Sequence, residues 1–543
     1  MSLLASFDLS TRALRAFQMA IQTISHNISN VNTPGYSRQR VIFTTEQADF
    51  DGRFYTGRGV KVVAVERLRD EFLEAQYRRE FGGKSQADAT VASYKLAEDL
   101  LSEPGDNGLY AKMTLFRDAW ANLANNPTDP GLRAVLRVQG KNLAEGFNST
   151  REGFTNLRLQ TDGEIRNLVP TINAIGEEIY SLNTKIETAT LLGQVPNDAL
   201  DRRDKLVADL SEIVPAQVVP RDNGTISVYI GGAPLVEATG PSSLKVVPKA
   251  GDILGIGEIQ WSAFDEPLVV GNGKLKGFLD ARDTIYPGMM AELDTLASEV
   301  VDQVNALHRT GMGLDGSLGI TGSADFHGTL ATDSTVSLNG VDIALSSGDD
   351  LATMAAKINL EEATTGVHAS ITGQRLVLAP STTATPQTVR VTGDPSGLFL
   401  TLGIVNNFFE GSPGSWSLSD AVEADTNTIA ASASGAPGDN EIARAMEHLW
   451  ESRLMDGGTR TFQEFHQGFL ADVGGRSEAA SRAAESQDFI VQQVENMRDT
   501  VSGVSNEEEL ANLVKYQRAY EMAARAVRTT DEMLQTLINM IQR

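Results

Sequence analysis

Six histidines, at positions 26, 308, 327, 368, 448 and 466, are the side chains best suited to metal or proton chemistry, and their spacing builds no site. None stands in HExxH or HxH register, the spacings that put two imidazoles on one ion. The chain contains no cysteine, so thiolate ligands, disulfide frameworks and thiol nucleophiles are excluded together. No GxSxG elbow and no Walker A lysine loop occurs. Gly311-Met-Gly313-Leu-Asp-Gly316 spells GxGxxG, but a dinucleotide loop needs a strand before it and a helix after it. Here a helical pattern precedes and a loop follows. Asp201 and Asp204 alternate with Arg202, Arg203 and Lys205, the composition of a salt-laced helix face rather than a general acid/base pair. The expectation is a chain with no catalytic residue, no metal and no cofactor.

What the charge excludes points the same way. The 543 residues carry a formal net charge of −25, so a nucleic-acid groove or an anionic membrane surface would repel most of the molecule. The length suits about three or four domains, each with its own core. No stretch approaches the roughly 18 consecutive apolar residues of a membrane span, so no membrane insertion is expected. The N-terminus lacks a basic start and a continuous apolar run, which predicts a protein that stays in the cytosol or leaves by a route without a cleaved signal.

The strongest periodicity lies at the two ends. Leu3, Phe7, Leu14, Phe17, Ile21, Ile24, Ile28 and Val31 step by three and four, with Ser10 as the break. Leu510, Leu513, Tyr520, Ala524, Val527, Leu534, Ile538 and Ile541 repeat the step, interrupted by Gln517 and Asp531. Helices over 3–31 and 508–542 would be about 43 Å and about 52 Å long. Rods of that length protrude from a small domain, so each is read as a seam seeking helical partners and ordered in an assembly.

Between them the pattern changes several times. Asn27, Asn30, Asn32, Thr33, Pro34, Gly35 and Tyr36 punctuate the exit of the first helix, and Pro34-Gly35 suits the centre of a type II turn. Strand composition follows at 41–45 and 60–65, then helix at 67–80 and from 87 to about 193, broken at 103–108 and 126–130. Residues 201–276 turn to strand, and helix resumes near Gly277. From Asp315 to Asp439 fourteen acidic residues face three basic ones, a net of −11, among short β-type runs. Helix then returns to the end.

The reading is an α+β multidomain chain with nested parts. A coiled-coil helix and turn occupy 1–45, and a helical layer with a β segment occupies 46–314. An acidic β-rich outer domain is inserted at 315–439, the helical layer returns over 440–504, and a second coiled-coil helix closes the chain over 505–543.

Residues 25–38, Ser-His-Asn-Ile-Ser-Asn-Val-Asn-Thr-Pro-Gly-Tyr-Ser-Arg, together with 502–520 and Thr530-Asp-Glu-Met-Leu534, resemble the terminal signatures of the axial proteins of the bacterial flagellum. These are the rod, hook and hook-associated proteins. Inside, Leu123-Ala-Asn-Asn-Pro127, Leu200 to Val207, Gly273 to Asp283 and Val304 to His308 are similar to the hook-associated branch that joins hook to filament. The stretch from Leu338 to Asn359 resembles a small β-motif inserted in flagellins and hook-associated proteins.

That resemblance implies a structural, non-enzymatic adaptor at the hook–filament junction. It implies export by the flagellar type III apparatus to the extracellular flagellum, and self-assembly as a ring-like or helical zone. The partners it implies are the hook protein, the next hook-associated protein toward the filament, and an export chaperone at the C-terminal helix. A soluble dimeric coiled-coil scaffold presenting the acidic head as a ligand-binding or glycan-binding module is the alternative. A hydrolase insert of the kind some flagellins carry is disfavoured by the missing HExxH.

Overall fold

In the computed structural model the two terminal helices meet each other. The N-terminal helix, Leu3–Ser29, lies against the C-terminal helix, Asn506–Ile541. Glu509 reaches Asn27 while Tyr516 packs on Phe17, so the sequence order is reversed and the pair is antiparallel. Small side chains allow the approach: Ala16 and Ala20 are buried in register with Ile24 and Asn27, one turn apart along a single face. The structure describes residues 3–50, 55–101, 105, 108–314, 320–322, 324–384, 389, 391–404, 406–436 and 438–541. It divides into two compact units, the first formed by 1–93, 159–282 and 478–543, the second by 94–158 and 283–477.

In the first unit the chain leaves the N-terminal helix through a tight turn. The Tyr36 amide donates to Thr33 O at 3.1 Å and Gly35 sits at φ 82°, the type II geometry that Pro34-Gly35 predicts. An antiparallel hairpin follows, Gln39–Thr45 with Val60–Arg67, bulged between Ile42 and Phe43. The three-four stripe of the long helix Pro130–Leu191 supplies one wall of the unit's main core: Ile165, Val169, Ile172, Ile179, Leu182 and Ile186. Against it pack the helix Asn197–Ile213 through Leu206 and Leu210, and a four-stranded antiparallel sheet over Ala216–Pro241 through Val228, Ile230 and Leu235. A second strand pair, Leu244–Pro248 with Gly257–Trp261, closes that core. The helix Lys274–Asp280 continues into a π-helical turn, Ala281–Ile285, whose Arg282 is buried against Asp162 at 2.6 Å and Gly257 O at 2.7 Å.

The second unit has two cores. One is helical and aromatic: Phe116 and Trp120 from Leu109–Asn125 meet Phe408, and Phe116 meets Phe409 and Trp450, with ring centroids 5.5–6.1 Å apart. Tyr286–Thr310 and Glu441–Leu449 pack around it. The other belongs to a small β module. Its two three-stranded antiparallel sheets enclose the helix Leu351–Leu360, and Val336, Met354, Ile358, Leu378 and Phe399 fill the space. That module's core ends at Ile404. Residues 406–432, which composition groups with the acidic insertion, return to the helical core instead: Asn305 Oδ1 accepts from the Phe408 and Phe409 amides, both at 2.9 Å, and its Nδ2 donates to Phe409 O at 2.9 Å.

Candidate assembly site at the paired termini

Three stretches that are far apart in sequence converge on one buried polar node in the first unit. Its centre is Asn27, 1% exposed on the last turns of the N-terminal helix. Its Nδ2 donates to Gln39 O and to Glu509 Oε2, each at 2.9 Å. Its Oδ1 accepts from the Gln39 amide at 3.0 Å and from the Tyr36 hydroxyl at 2.7 Å. A carboxamide offers two donors and two acceptor lone pairs, so every bonding position of Asn27 is used. The Tyr36 hydroxyl also meets His26 Nδ1 at 3.1 Å. Burial, with Asp201, Asp198 and Glu509 nearby, raises the phenol well above its ordinary range, so it stays a hydroxyl and a donor.

Glu509 is the C-terminal helix's contribution. It follows Glu507 and Glu508, yet only Glu509 is buried, at 2% exposure. Its second oxygen takes Arg38 Nε at 2.8 Å and the guanidinium NH2 at 2.7 Å, while Glu508 takes the outer edge of the same guanidinium at 2.8–3.0 Å. The hydrogen bond to Glu508 is the foremost cause that holds Arg38 charged, and the same contact lowers the Glu508 carboxyl. The Arg38 amide further donates to Ser502 O at 3.0 Å, pinning the turn that precedes the C-terminal helix. Tyr516, two turns beyond Glu509, then packs against Phe17 and Phe43 with ring centroids 6.2 and 6.0 Å away.

The third stretch is the helix Asn197–Ile213. Asp201 accepts from the Ser37 amide at 3.1 Å and from Arg67 at 2.8 Å, and Asp204 takes Arg67 at 2.8 Å together with Arg69. Within their own helix only a longer contact remains, Arg203 Nε to Asp204 at 3.6 Å. Arg202 pairs with Glu178 and Lys205 with Asp209, while the aspartates fasten the hairpin strand Val60–Arg67 and the residues after it. Buried Arg203 is lowered by desolvation and donates to Gly224 O at 2.8 Å.

The seam positions do not share one surface. On the N-terminal helix Ile24 is buried, and Phe7, Leu14, Phe17, Ile21 and Ile28 are half-buried; the helix ends at Ser29, short of the expected 31, and leaves Val31 half-buried in the turn that follows. On the C-terminal helix Leu513, Val527 and Leu534 are half-buried on the side of Glu509, Tyr516 and Thr530. Leu510, Tyr520 and Ile538 stay 37–53% exposed, joined by Val514, Met522, Met533, Leu537 and Met540. The side chains of Leu3 and Ile541 lie outside the described residues. Of the turn motif, Asn27 and Tyr36 form the node, Asn30 Nδ2 donates to His26 O at 3.0 Å, and Asn32, Thr33, Pro34 and Gly35 are exposed. Sequence reading missed Arg38, Gln39, Glu509, Tyr516 and the Ala16/Ala20 pair, although Arg38, Glu509 and Tyr516 fall inside the two signatures.

Among the described residues no group of three or more His, Asp or Glu could hold a metal ion, and no helix is long and apolar enough to cross a membrane. The histidines act in packing or lie at the surface. His308 is fully buried, with Nδ1 donating to Asn406 O at 2.8 Å and Nε2 accepting from the Ala430 amide at 2.9 Å. Of the GxGxxG letters, Asp315 and Gly316 lie outside the described residues, and the rest follow the end of Tyr286–Thr310.

Similarity to known proteins follows the same segments. Residues 95–321 match the family described as the flagellar hook-associated protein FlgK helical domain. The ends match flagella basal body rod protein over 7–36 and the flagellar basal body rod FlgEFG protein C-terminal family over 490–540. The flagellin hook IN motif covers 325–382, within the β module. Flagellar hook-associated protein 1 of Bacillus subtilis is 26% identical over 577 residues, covering 98% of this chain and 97% of that protein. The Escherichia coli protein of the same name is 27% identical, covering 97% of this chain and 98% of its own. The solved flagellar hook junction protein FlgK from Burkholderia pseudomallei is similar in fold, with a TM-score of 0.53 at 17% identity, over 79% of this chain and all of that one.

Proposed function

Since this chain belongs to the flagellar hook-associated protein 1 family, we propose that it is a structural adaptor of the bacterial flagellum that joins hook to filament, and not an enzyme. It works outside the cell as an exported component. The observation that carries the reading is the node at Asn27: the N-terminal signature, the C-terminal signature and the interior Leu200–Val207 motif hold one another through buried polar bonds. An adaptor needs its two ends fixed in one geometry, so that every subunit offers the same helical face to its neighbours.

In this reading the exposed apolar positions of the C-terminal helix meet other subunits in a ring-like or helical zone. Leu510, Tyr520 and Ile538 contribute there, alongside N-terminal seam residues that are only half covered within one chain. The acidic β module faces solvent as an outer domain. The hook protein lies on one side and the next hook-associated protein on the other, and an export chaperone meets the C-terminal helix before assembly. The dimeric scaffold alternative gains nothing from the terminal helices, which already pair within a single chain.

Electron microscopy of cells lacking the protein tests the reading. Hooks without filaments are expected, restored by the intact gene and not by Leu534→Asp, which places a charge on the seam. Normal filaments in the deletion strain would refute the adaptor role.

A further inference from the structure

Beside the Asn27 node lies a cleft of about 590 Å³, between the N-terminal helix at His26 and the start of Asn197–Ile213, with Val65, Val195 and Pro196 among its walls. Gln39 and Asn197 line it, each 8% exposed. Asn197 Nδ2 donates to Val65 O at 3.0 Å and to Gln39 Oε1 at 3.2 Å. The carbonyl at Val65 can only accept, so it fixes the orientation of Asn197, and the amide–amide bond then fixes Gln39. What remains is the donor Gln39 Nε2 and the acceptor Asn197 Oδ1, both buried and both without a partner. Buried polar groups of this kind are costly to leave unmade.

A free donor and a free acceptor on one bonded pair of amides together suit a primary carboxamide, whose C=O can accept from Nε2 and whose N–H can donate to Oδ1. A carboxylate brings no donor and an ammonium no acceptor. Val65, Val195 and Pro196 give part of the wall an apolar surface beside polar Thr23, His26 and Asp198, so a neutral group on a side chain with apolar neighbours suits it. The C-terminal helix presents one: Gln517 is exposed and shares a face with Leu510 and Val514, which are 52% and 47% exposed. That face is turned away from Tyr516 and Glu509, which hold the chain's own N-terminal helix and turn.

We propose that the Gln39–Asn197 pair is a receptor for the carboxamide of Gln517 on the C-terminal helix of a second copy of this chain. The assignment rests on the self-assembly reading above and names the contact through which one subunit engages the next.

Two arms on the full-length protein decide it. In the first, the ¹⁵N-glutamine-labelled chain is titrated with propionamide, with Gln39→Met to assign the resonance. A saturable shift of the Gln39 side-chain amide is expected with propionamide and not with propionate. No shift, or the same shift with both, would mean that the pair holds water only and would overturn the receptor.

In the second arm, because the natural chain has no cysteine, Asp198→Cys and a mass-tagged Val514→Cys chain are mixed under oxidising conditions. A mixed disulfide is expected, reduced about tenfold when Gln517→Glu is added to the tagged chain. Self-association without that disulfide, or a disulfide indifferent to Gln517→Glu, would overturn the second-copy occupant. If sedimentation shows no self-association at all, the assembly reading fails and this occupant with it, while the propionamide arm still decides whether the receptor exists.

Discussion

Removing Asn27 should damage the first unit more than any other single polar substitution near the termini. Asn27→Ala deletes four hydrogen bonds at a site 1% exposed. Two partners keep an alternative: the Tyr36 hydroxyl retains His26, and Glu509 retains Arg38. The Gln39 amide and carbonyl lose their side-chain partner where the strand begins. Each buried group left unpaired costs about 1–3 kcal/mol. Adding the weakened bond to a charged Glu509 brings the total to about 3–6 kcal/mol, a large part of the roughly 5–15 kcal/mol that a domain has. In calorimetry of the full chain the transition containing the first unit should fall by about 6–20 °C. Asn27→Asp should fall as far, because its carboxylate keeps the acceptor side but places a second negative group against Glu509. Ser29→Ala, at an exposed position two residues away, should leave the transition in place. A change for Asn27→Ala below about 1 kcal/mol would refute the node as a structural element.

Three further outcomes follow from the geometry. Burial lowers His308 and His466 to about 4 from an ordinary 6.5, so each is neutral when folded and binds a proton more readily when unfolded; stability should be complete above pH 6.5 and erode as pH falls toward about 4, by roughly 2 kcal/mol per histidine at pH 5. Urea denaturation at pH 7.5 and 5.0, repeated on His308→Gln, checks it, and an unchanged pH difference in the variant would contradict the assignment. Gly35→Ala puts a Cβ on a residue at φ 82° and 3.1 Å from the Lys205 side chain, so a loss of about 1–2 kcal/mol is expected in thermal melts, and none if the turn takes another form. Excising 324–402 with a short Gly-Ser link should spare the helical aromatic core, since the Ala324 amide donates to Leu402 O at 3.4 Å and the cut ends already lie side by side. Near-ultraviolet circular dichroism should retain the tryptophan signals of Trp120 and Trp450, and their collapse would show that the module supports that core.

Local signals made the secondary structure legible and left most of the node hidden. Apolar period found both terminal helices and the Ile165–Ile186 stripe, and the Pro34-Gly35 dipeptide specified its turn because a positive φ at the third position needs a glycine. Asn27 carried no comparable mark. A polar residue near a helix end is ordinary, and its partner Glu509 is 482 positions away. Glu507, Glu508 and Glu509 are chemically identical, so only the helix phase set by Tyr516 against Phe17 and Phe43 decides which is buried. Asp201 and Asp204 illustrate the same limit from the other side. Their neighbours Arg202 and Lys205 suggested a helix-surface ladder, but Arg67 enters from a strand and takes both.

The apolar seams hide a similar ambiguity, which the packing of the terminal pair resolves. Heptad spacing records that a helix has an apolar side, not whether the covering helix comes from the same chain. Ala16 and Ala20, too small to count in a hydrophobic seam, let the chain's own C-terminal helix close against the N-terminal one, while Leu510, Val514, Tyr520, Met533 and Ile538 remain uncovered. Buried polar bonds such as Asn27 to Glu509 tolerate no slip, because a shift of one residue would strand a carboxylate in the interior. The node therefore sets the register of the pair, and the register decides which apolar side chains stay outside. On the proposed assembly, a polar contact inside one chain thereby sets which apolar side chains a subunit can offer its neighbours.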